Sequence, residues 1–340
     1  MLTTTARSIA ASGAALSMAV TLVACSGSSS DANPDKPVAI SITVTHDTDP
    51  YSIPWLVGMD QGFFEDGGVK VDKIVPGKGG ATTLTNQLNG DLPIADTAFP
   101  AVVEASQSGA PLTIIGGAVQ ALTGTEFYTL AKNTDINKVV DVKKWAYTNE
   151  GSVTQALTFM LPKAEGLDPA SSERTAAGGL GEGIALMESG DVDAAVLPLS
   201  EYLGHKDTYK LVANSSKLIP HFQQTVITTT KEYAAEHPKV LKAITAGYAK
   251  AVKYTHEHPD KAAAVYAKYA NVDTQIAKEI VKLTVASDYW GVGFNKDAIA
   301  GALEGMKFSG KDPSKTNLCD LFDSQYLPKG ESKQAADKCK

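Results

Sequence analysis

Short segments rich in β-branched residues alternate with helical segments from residue 38 onward, and glycines stand at several of the boundaries between them. Residues 38–45 predict a first strand, and residues 54–66 predict a helix that stops at Gly67 and Gly68. Further strands are predicted at 69–75, 94–98, 112–118, 127–131, 145–148, 173–177, 194–199, 209–213 and 226–230, with helices at 81–89, 100–107, 152–165 and 182–189. This order predicts an α/β fold with mostly parallel sheets and helices on both faces.

The sequence becomes helical after residue 238. Apolar residues recur at spacings of three and four over 239–254, which predicts a helix with one apolar face. His237 and His258 each precede a proline, and proline suits the first turn of a helix. We therefore expect both histidines to start helices at the surface rather than to bind a ligand.

Residues 1–24 have the pattern of a secretory signal peptide, because the basic Arg7 precedes a short apolar segment that ends in small residues. This apolar segment is shorter than the roughly 20 residues that a spanning helix needs. It ends at Leu22-Val23-Ala24-Cys25, which resembles the bacterial lipobox, so we expect cleavage before Cys25 and a lipid on its thiol. The alternative is an ordinary signal in which Cys25 is incidental. The polar composition of residues 25–37 predicts a flexible tether.

Cys319 and Cys339 are the other two cysteines of the chain. An even pair in an exported protein predicts a disulfide, which would close a loop of about 20 residues and contribute roughly 3 kcal/mol. The alternative is two free thiols on a C-terminal tail over 316–340. In either case no cysteine remains for catalysis between residues 26 and 318.

Several short segments follow one another in a fixed order along the chain: Gly62-Phe63-Phe64-Glu65 with Gly68-Val69-Lys70-Val71, then Gly90-Asp91-Leu92-Pro93-Ile94-Ala95, then Gly190-Asp191-Val192-Asp193-Ala194, and finally His237-Pro238 with His258-Pro259. Together they resemble the type II periplasmic solute-binding proteins, in particular the branch that serves nitrate, taurine, alkanesulfonate and thiamine-precursor uptake. Pro93 stands where that family usually has Asp, and His258 where it has Asn. The resemblance extends over residues 38–328.

The resemblance implies a two-lobed type II periplasmic-binding-protein fold, in which each lobe is a mostly parallel sheet flanked by helices and the ligand cleft lies between the lobes. Lobe 1 would comprise residues 38–124 and 222–315, and lobe 2 residues 125–221. The chain would cross between the lobes near 124–128 and 215–222. The resemblance also implies a monomer that delivers its ligand to the permease and ATPase subunits of an ABC importer.

Open α/β sheets bind ligands at the carboxyl ends of their strands, where helix N-termini present free amides. The turn at residues 151–154 is the strongest candidate, because Ser152 can cap a helix and the resemblance implies the ligand headgroup at this turn. The alternative is a helix cap without a ligand. The predicted ligand-binding residues are His46, Asp47, Thr48, Tyr51, Gly79, Gly80, Asp96, Thr97, Phe99, Gln120, Glu150, Gly151, Ser152, Val153, Thr154, Gly178 and Pro198.

His46, Asp47 and Asp49 could be interpreted as metal ligands. Zinc sites usually gather three or four His, Cys or carboxylate groups, so a polar loop that faces the ligand is the better interpretation. We expect neither a metal nor a cofactor. Aromatic side chains near the predicted cleft could stack on a ligand or belong to the core: Tyr51, Trp55, Phe99, Phe127 and Trp290.

Arg174 is the single arginine after residue 24. Planar anions are usually bound by the arginine fork, but Arg174 is predicted at the start of a strand, opposite the cleft. A bound anion would therefore rest on backbone amides, hydroxyls and Lys78. The predicted loops also carry acidic residues that favour an amine or a donor-rich ring: Asp47, Asp49, Asp96 and Glu150. An aminosulfonate or an aminopyrimidine-like heterocycle fits this mixture better than phosphate.

The leading hypothesis is a lipid-anchored receptor at the extracytoplasmic face of a cell membrane, which binds a sulfonate-, taurine- or nitrate-like solute for import. An alternative ligand is an aminopyrimidine-like thiamine precursor or a small aromatic compound. A ligand sensor that signals to a partner and an enzyme on the same fold are alternatives of other classes. We expect no enzyme, because the chain has no Gly-x-Ser-x-Gly motif and no Cys–His pairing. A formal net charge of −7 without basic runs argues against nucleic acid.

Overall fold

The computed structural model describes residues 37–337, which form two β-sheets and the helices around them. The strands are β1 Val38–Val44, β2 Val69–Pro76, β3 Ile94–Ala98, β4 Leu112–Gly117, β5 Phe127–Leu130, β6 Lys144–Tyr147, β7 Glu173–Ala176, β8 Ala195–Val196, β9 Tyr209–Ala213 and β10 Thr225–Thr230. The helices are α1 Ile53–Asp60, α2 Gly80–Asn89, α3 Phe99–Gln107, α4 Val153–Ala164, α5 Leu180–Ser189, α6 Leu199–Gly204, α7 Ser215–Leu218, α8 Lys231–Glu236, α9 Pro238–Glu257, α10 Pro259–Ala270, α11 Thr274–Ala286, α12 Lys296–Phe308 and α13 Leu318–Leu321. The predicted signal peptide and Cys25 lie outside the described residues.

The first sheet has the strand order β2-β1-β3-β10-β4. β1 runs parallel to β2, with Val38 opposite Val69, and parallel to β3, with Ile42 opposite Ile94. β10 lies between β3 and β4 and runs antiparallel to both. Every residue of β3 and β4 is buried, which is typical of a sheet covered by helices on both faces.

The second sheet repeats this arrangement. β5 runs antiparallel to β8 and β9, and β6 runs parallel to β7. A parallel bridge between Trp145 and Ala194 joins β6 to the residue before β8. The order β7-β6-β8-β5-β9 therefore matches β2-β1-β3-β10-β4 position by position, and the antiparallel strand of each sheet is the one that the chain enters directly from the other sheet. The predicted mostly parallel α/β architecture is confirmed.

An aromatic cluster holds α1 and α9 against the first sheet. The Trp55 indole stacks on the Phe64 ring with 5.6 Å between centroids and meets the Tyr248 ring at 4.9 Å. All three side chains are buried. Trp55, which the sequence left open between cleft wall and core, therefore belongs to the core.

Two predicted elements are wrong in their extent. The helix predicted at 54–66 ends at Asp60, because the chain turns at Gly62 with a left-handed φ of 71°. The strand predicted at 194–199 is reduced to the two residues of β8. Pro198 occupies the N-cap position of α6 and so ends the strand.

The predicted C-terminal tail packs on the first sheet, where Phe322 forms a parallel bridge with Ile114 of β4. Cys319 is disulfide-bonded. Cys339 lies outside the described residues, so its pairing with Cys319 stays a prediction. Among residues 37–337, no helix combines the length and the apolar character that crossing a membrane requires.

Candidate functional site

A cavity of about 40 Å³ lies where the carboxyl ends of strands from both sheets meet. It has room for about three water molecules, so the two sheet edges lie close together in this structure. The lining residues follow β1 and β6, end β3 and β8, precede β5, or stand at the start of β10 and of the helices α2, α4 and α5. They are Thr45, His46, Asp49, Tyr51, Gly79, Gly80, Ala98, Gly124, Thr125, Thr148, Ser152, Val153, Thr154, Leu180, Val196 and Thr225.

The loop after β1 is held by bonds to its backbone. The Ser52 hydroxyl donates to the Asp47 carbonyl at 2.7 Å and to the Asp49 carbonyl at 3.0 Å. The Trp290 indole donates to the Pro50 carbonyl at 3.0 Å, so Trp290 supports the loop from behind. Because backbone bonds fix the loop, the side chains of Asp49 and its neighbours remain available to the cavity.

Gly79 and Gly80 open α2 at the cavity wall. The Thr83 hydroxyl donates to the Gly79 carbonyl at 2.8 Å, and the Thr97 hydroxyl to the Gly80 carbonyl at 3.0 Å. Glycine is required at both positions, since a Cβ at Gly80 would lie 2.4 Å from that of Ala98, and Gly79 has a φ of 134°. The backbone of this turn can therefore approach a ligand closely.

Three hydroxyls form a chain at the start of α4. Thr148 and Thr154 are 3.0 Å apart and Ser152 and Thr154 2.9 Å apart, measured between their Oγ atoms. Ser152 also caps the helix by accepting from the Gln155 amide at 3.1 Å. The amides of residues 153 and 154 have no acceptor within the helix, and the positive end of the helix dipole favours an anion there.

Gln224 ties together the two chain segments that cross between the sheets. Its Oε1 accepts from the Tyr51 hydroxyl at 2.9 Å and from the Thr125 hydroxyl at 3.0 Å, while its Nε2 donates to the Ala121 carbonyl. Gln224 is fully buried. This one amide therefore positions two cavity-lining side chains from distant parts of the sequence.

Buried carboxyl groups surround the cavity. Burial raises the pKa of Asp49, an effect that nearby His46 partly offsets. Burial also raises the pKa of Asp96 to about 7, although nearby Thr225 and the hydrogen bond from Trp55 lower it. It raises the pKa of Glu126 to about 7, although Glu126 accepts from the Gly124 amide at 2.8 Å. Among the described residues no lysine or arginine lines the cavity, and Asp49 is the acidic side chain of the lining.

Seven of the predicted ligand-binding residues are brought together as cavity lining: His46, Tyr51, Gly79, Gly80, Ser152, Val153 and Thr154. Others lie directly behind this layer. Asp96 and Thr97 are fully buried under it, and Gly151 holds the α4 turn by donating its amide to Gln155 Oε1 at 2.8 Å. The Asp47 and Thr48 carbonyls brace the β1 loop by accepting from Ser52 and from Tyr266.

The remaining predicted residues lie away from the cavity. Phe99 is buried in the core against Phe322. Gln120 donates to the carbonyls of Gly291 at 3.1 Å and Gly293 at 2.6 Å, beside a separate surface pocket. Glu150 accepts from Tyr147 and Gln155. Two more do not reach the lining: Gly178, which is exposed, and Pro198, which precedes α6.

The basic residues considered for an anion are not part of the lining. Lys78 is exposed, and its backbone amide donates to the Thr82 hydroxyl at 2.8 Å. The Arg174 guanidinium donates to the carbonyls of Ser172, Thr158 and Pro169 at 2.7–2.9 Å and lies 3.9 Å from the centroid of the Phe159 ring. The Arg174 guanidinium is thus occupied by carbonyl groups of nearby residues. Residues 37–337 contain no group of three or more His, Cys, Asp or Glu that could hold a metal ion.

The sequence-based prediction missed several lining residues. Thr45 and Thr148 were predicted as the last residues of strands, so the rule that ligands bind at strand ends could have included them. Thr125 lies just before β5 and Thr225 begins β10, where the chain passes from one sheet to the other. Their proximity depends on contacts between distant parts of the chain. Leu180 and Val196 carry no polar signal that could have identified them.

A sequence model of the family described as NMT1/THI5 like matches residues 49–262, which is more than half of the chain. Comparison with curated proteins finds no match.

Solved structures similar to this chain include three binding proteins. The periplasmic aliphatic sulphonate binding protein SsuA from Escherichia coli aligns with a TM-score of 0.66 and 16% identity, over 88% of this chain and 96% of that one. The alkanesulfonate-binding protein SsuA from Xanthomonas axonopodis pv. citri, bound to MOPS, aligns with a TM-score of 0.70 and 15% identity, over 85% and 99%. The periplasmic nitrate-binding protein NrtA from Synechocystis PCC 6803 aligns with a TM-score of 0.63 and 11% identity, over 86% and 83%. At these identities the likeness shows a shared fold.

Proposed function

The chain belongs to the NMT1/THI5-like family and has the fold of periplasmic binding proteins, and on this basis we propose that it is an extracytoplasmic solute-binding protein of an ABC import system. The observation that carries the proposal is the cavity between the carboxyl edges of the two sheets, which is lined by hydroxyls and three helix N-termini. Closing two lobes around a solute requires no catalytic group. The complex would then deliver the solute to a permease and its ATPase.

A small polar organic solute with an anionic group, with sulfonates first, fits this lining. The hydroxyls of Thr148, Ser152 and Thr154 and the free amides of the α4 turn are donors that can surround an oxyanion. No arginine is needed for such binding, and none lines the cavity. Two of the similar structures are named for sulfonates and one for nitrate, which agrees with an oxyanion at this position.

The N-terminal sequence supports a location at the outer face of a membrane. We propose that residues 1–24 direct export and that a lipid on Cys25 holds the protein at the outer face of the membrane. Residues 25–37 would then separate the anchor from the two-lobed body, and the lobes would comprise 38–124 with 222–315 and 125–221. The protein would act as a monomer, as the family resemblance implies.

A thermal-shift screen tests this function. The purified full-length protein would be unfolded in the presence of taurine, plain alkanesulfonates, nitrate, aminopyrimidines and small aromatic acids. A solute with a Kd one-hundredth of its concentration stabilises the fold by about 2.7 kcal/mol, which such a screen detects readily. A protein that none of these solutes stabilises would contradict the proposal.

A further inference from the structure

Asp49 is a buried acid in the cavity wall whose side chain makes no hydrogen bond or ion pair with the described residues. It lines the cavity and is only 5% exposed. It stands at the N-cap position of the short helix Pro50–Ser52, where aspartate commonly accepts a backbone amide, yet its side chain makes no capping bond. Within residues 37–337 the structure gives this carboxylate no hydrogen bond and no ion pair.

Such an acid is costly to bury. A carboxyl group removed from water without a partner is destabilised by several kcal/mol when it is charged. Burial accordingly raises the pKa of Asp49; nearby His46 partly offsets this effect and Asp47 reinforces it. Of the described residues that line the cavity, His46 is the one with a basic side chain. The described part of the chain therefore places a carboxyl group at the ligand site with no ion pair and no hydrogen bond to neutralise it.

The opposite character is found on the other side of the cavity. Ser152, Val153 and Thr154 belong to the edge of the second sheet and present hydroxyls and the positive end of α4. Asp49 belongs to the edge of the first sheet. A solute between the two edges would meet an anion-binding surface on one side and an acid on the other.

We propose that Asp49 receives a positively charged nitrogen of the solute, so that the solute is a zwitterion with an ammonium group at Asp49 and an oxyanion at the α4 turn. This inference rests on the proposed function. A simple anion would leave Asp49 unpaired or require it to hold a proton. An amino-substituted sulfonate would bind Asp49 through its ammonium group and the α4 turn through its sulfonate. The acid thus separates amine-bearing solutes from plain anions of the same size.

A matched pair of compounds tests the inference on the unaltered protein. 2-Aminoethanesulfonate and 2-hydroxyethanesulfonate differ in the group that would face Asp49 and share the sulfonate. A charge-assisted hydrogen bond contributes about 1.5–3 kcal/mol, which corresponds to about a ten- to hundred-fold difference in Kd. We expect calorimetric titration to show that preference for the amine. A second pair, 3-aminopropanesulfonate and 3-hydroxypropanesulfonate, covers a longer spacing.

The Asp49→Asn variant tests the residue. It keeps the shape of the side chain and removes its charge, so the amine and hydroxyl partners should bind this variant with about equal Kd. Without solute, the variant should unfold at the same temperature as the wild type or higher. Asp91→Asn is the matched control, because Asp91 is exposed and is not one of the lining residues. It should keep the preference.

The outcomes separate the two claims. If hydroxyl or plain sulfonates bind the wild type as tightly as their amine partners, or if Asp49→Asn keeps the preference, the inference is overturned and the solute-binding function stands. If neither member of either pair, nor any other solute of the screen, binds the wild type, the proposed function fails and the inference fails with it.

Discussion

The indole Nε1 of Trp55 donates to Oδ2 of Asp96 at 2.9 Å, and both side chains are fully buried directly behind the cavity. The other carboxylate oxygen, Oδ1, has no hydrogen-bond partner among the described residues. One neutral donor does not offset the cost of burying a charged carboxylate. The pKa of Asp96 is accordingly raised to about 7 from an ordinary value of 3.8.

We expect Asp96→Asn to become more stable than the wild type as the pH rises from 5 to 8. Between about pH 4 and 7 the folded wild type binds a proton that the unfolded chain has lost, so this group reduces stability as the pH rises through that window. The reduction is at most about 1.4 kcal/mol per pH unit and stops near pH 7. Asparagine cannot titrate and can still accept from Trp55. Urea unfolding of both proteins at pH 5, 6.5 and 8 measures the difference.

Glu126 titrates in the same range and should leave a smaller pH dependence in the Asp96→Asn variant. Asp91→Asn removes a charge at an exposed site and serves as the control. A stability difference between Asp96→Asn and the wild type that does not change with pH would show that Asp96 stays ionised in the fold.

Replacing Gln224 by alanine should lower the free energy of unfolding by about 2–4 kcal/mol. The change leaves the Tyr51 and Thr125 hydroxyls and the Ala121 carbonyl without their partner, and each buried polar group that loses its partner costs about 1–3 kcal/mol. Denaturant unfolding measures the loss. Gln275→Ala, at an exposed position of α11, should change stability by no more than about 0.5 kcal/mol. Equal denaturation midpoints for the two variants would show that the hydrogen bonds of Gln224 do not stabilise the fold.

Gly80→Ala should destabilise the fold by about 1–3 kcal/mol and weaken solute binding, because the added methyl group meets Ala98 in the cavity wall. Gly181→Ala is the matched control near the start of α5. No atom lies within 4 Å of the Cβ that would be added there, so we expect no loss and a gain of up to about 1 kcal/mol. Thermal unfolding and titration with a solute from the screen compare the two. If Gly80→Ala binds and unfolds like Gly181→Ala, the α2 turn does not need to approach so closely.

The Cys25→Ala variant should be released from the membrane and still bind solute with unchanged affinity, since the residues of the cavity lining begin at Thr45, beyond the proposed tether. Fractionation of cells followed by titration of the released protein measures both properties. Ser28→Ala changes the same segment and should leave the protein with the membrane. Loss of solute binding in Cys25→Ala would show that the anchor and the receptor are not separable.

The positions of the strands could be predicted from the sequence because most of them combine β-branched or aromatic residues with a nearby glycine or proline. β3 and β9 have the bounds that the pattern indicates, and most others differ by one or two residues. The order of the strands could not be predicted in the same way. Placing β10 between β3 and β4 depends on pairing across more than a hundred residues, as in the register of Thr225 with Ala98, and local pattern does not encode it.

The site could be predicted where its residues follow a strand directly. His46, Gly80 and Ser152 were found by the rule that ligands bind at carboxyl ends. The prediction was less accurate within β3, where every residue is buried. No alternation of polar and apolar residues there indicates which side chains face the cavity, and Asp96 lies behind it.

The position of β10 also determines when the molecule can be completed during synthesis. β3 and β4 do not touch each other directly, because β10 separates them. A ribosome must therefore translate the whole second sheet, from β5 to β9, before the strand that joins the first sheet exists. Folding that waits for such distant pairings is slow. The first four strands are thus completed as a sheet only by β10, the last strand to be translated. The first sheet therefore stays incomplete for longer than it would if its strands were contiguous in sequence.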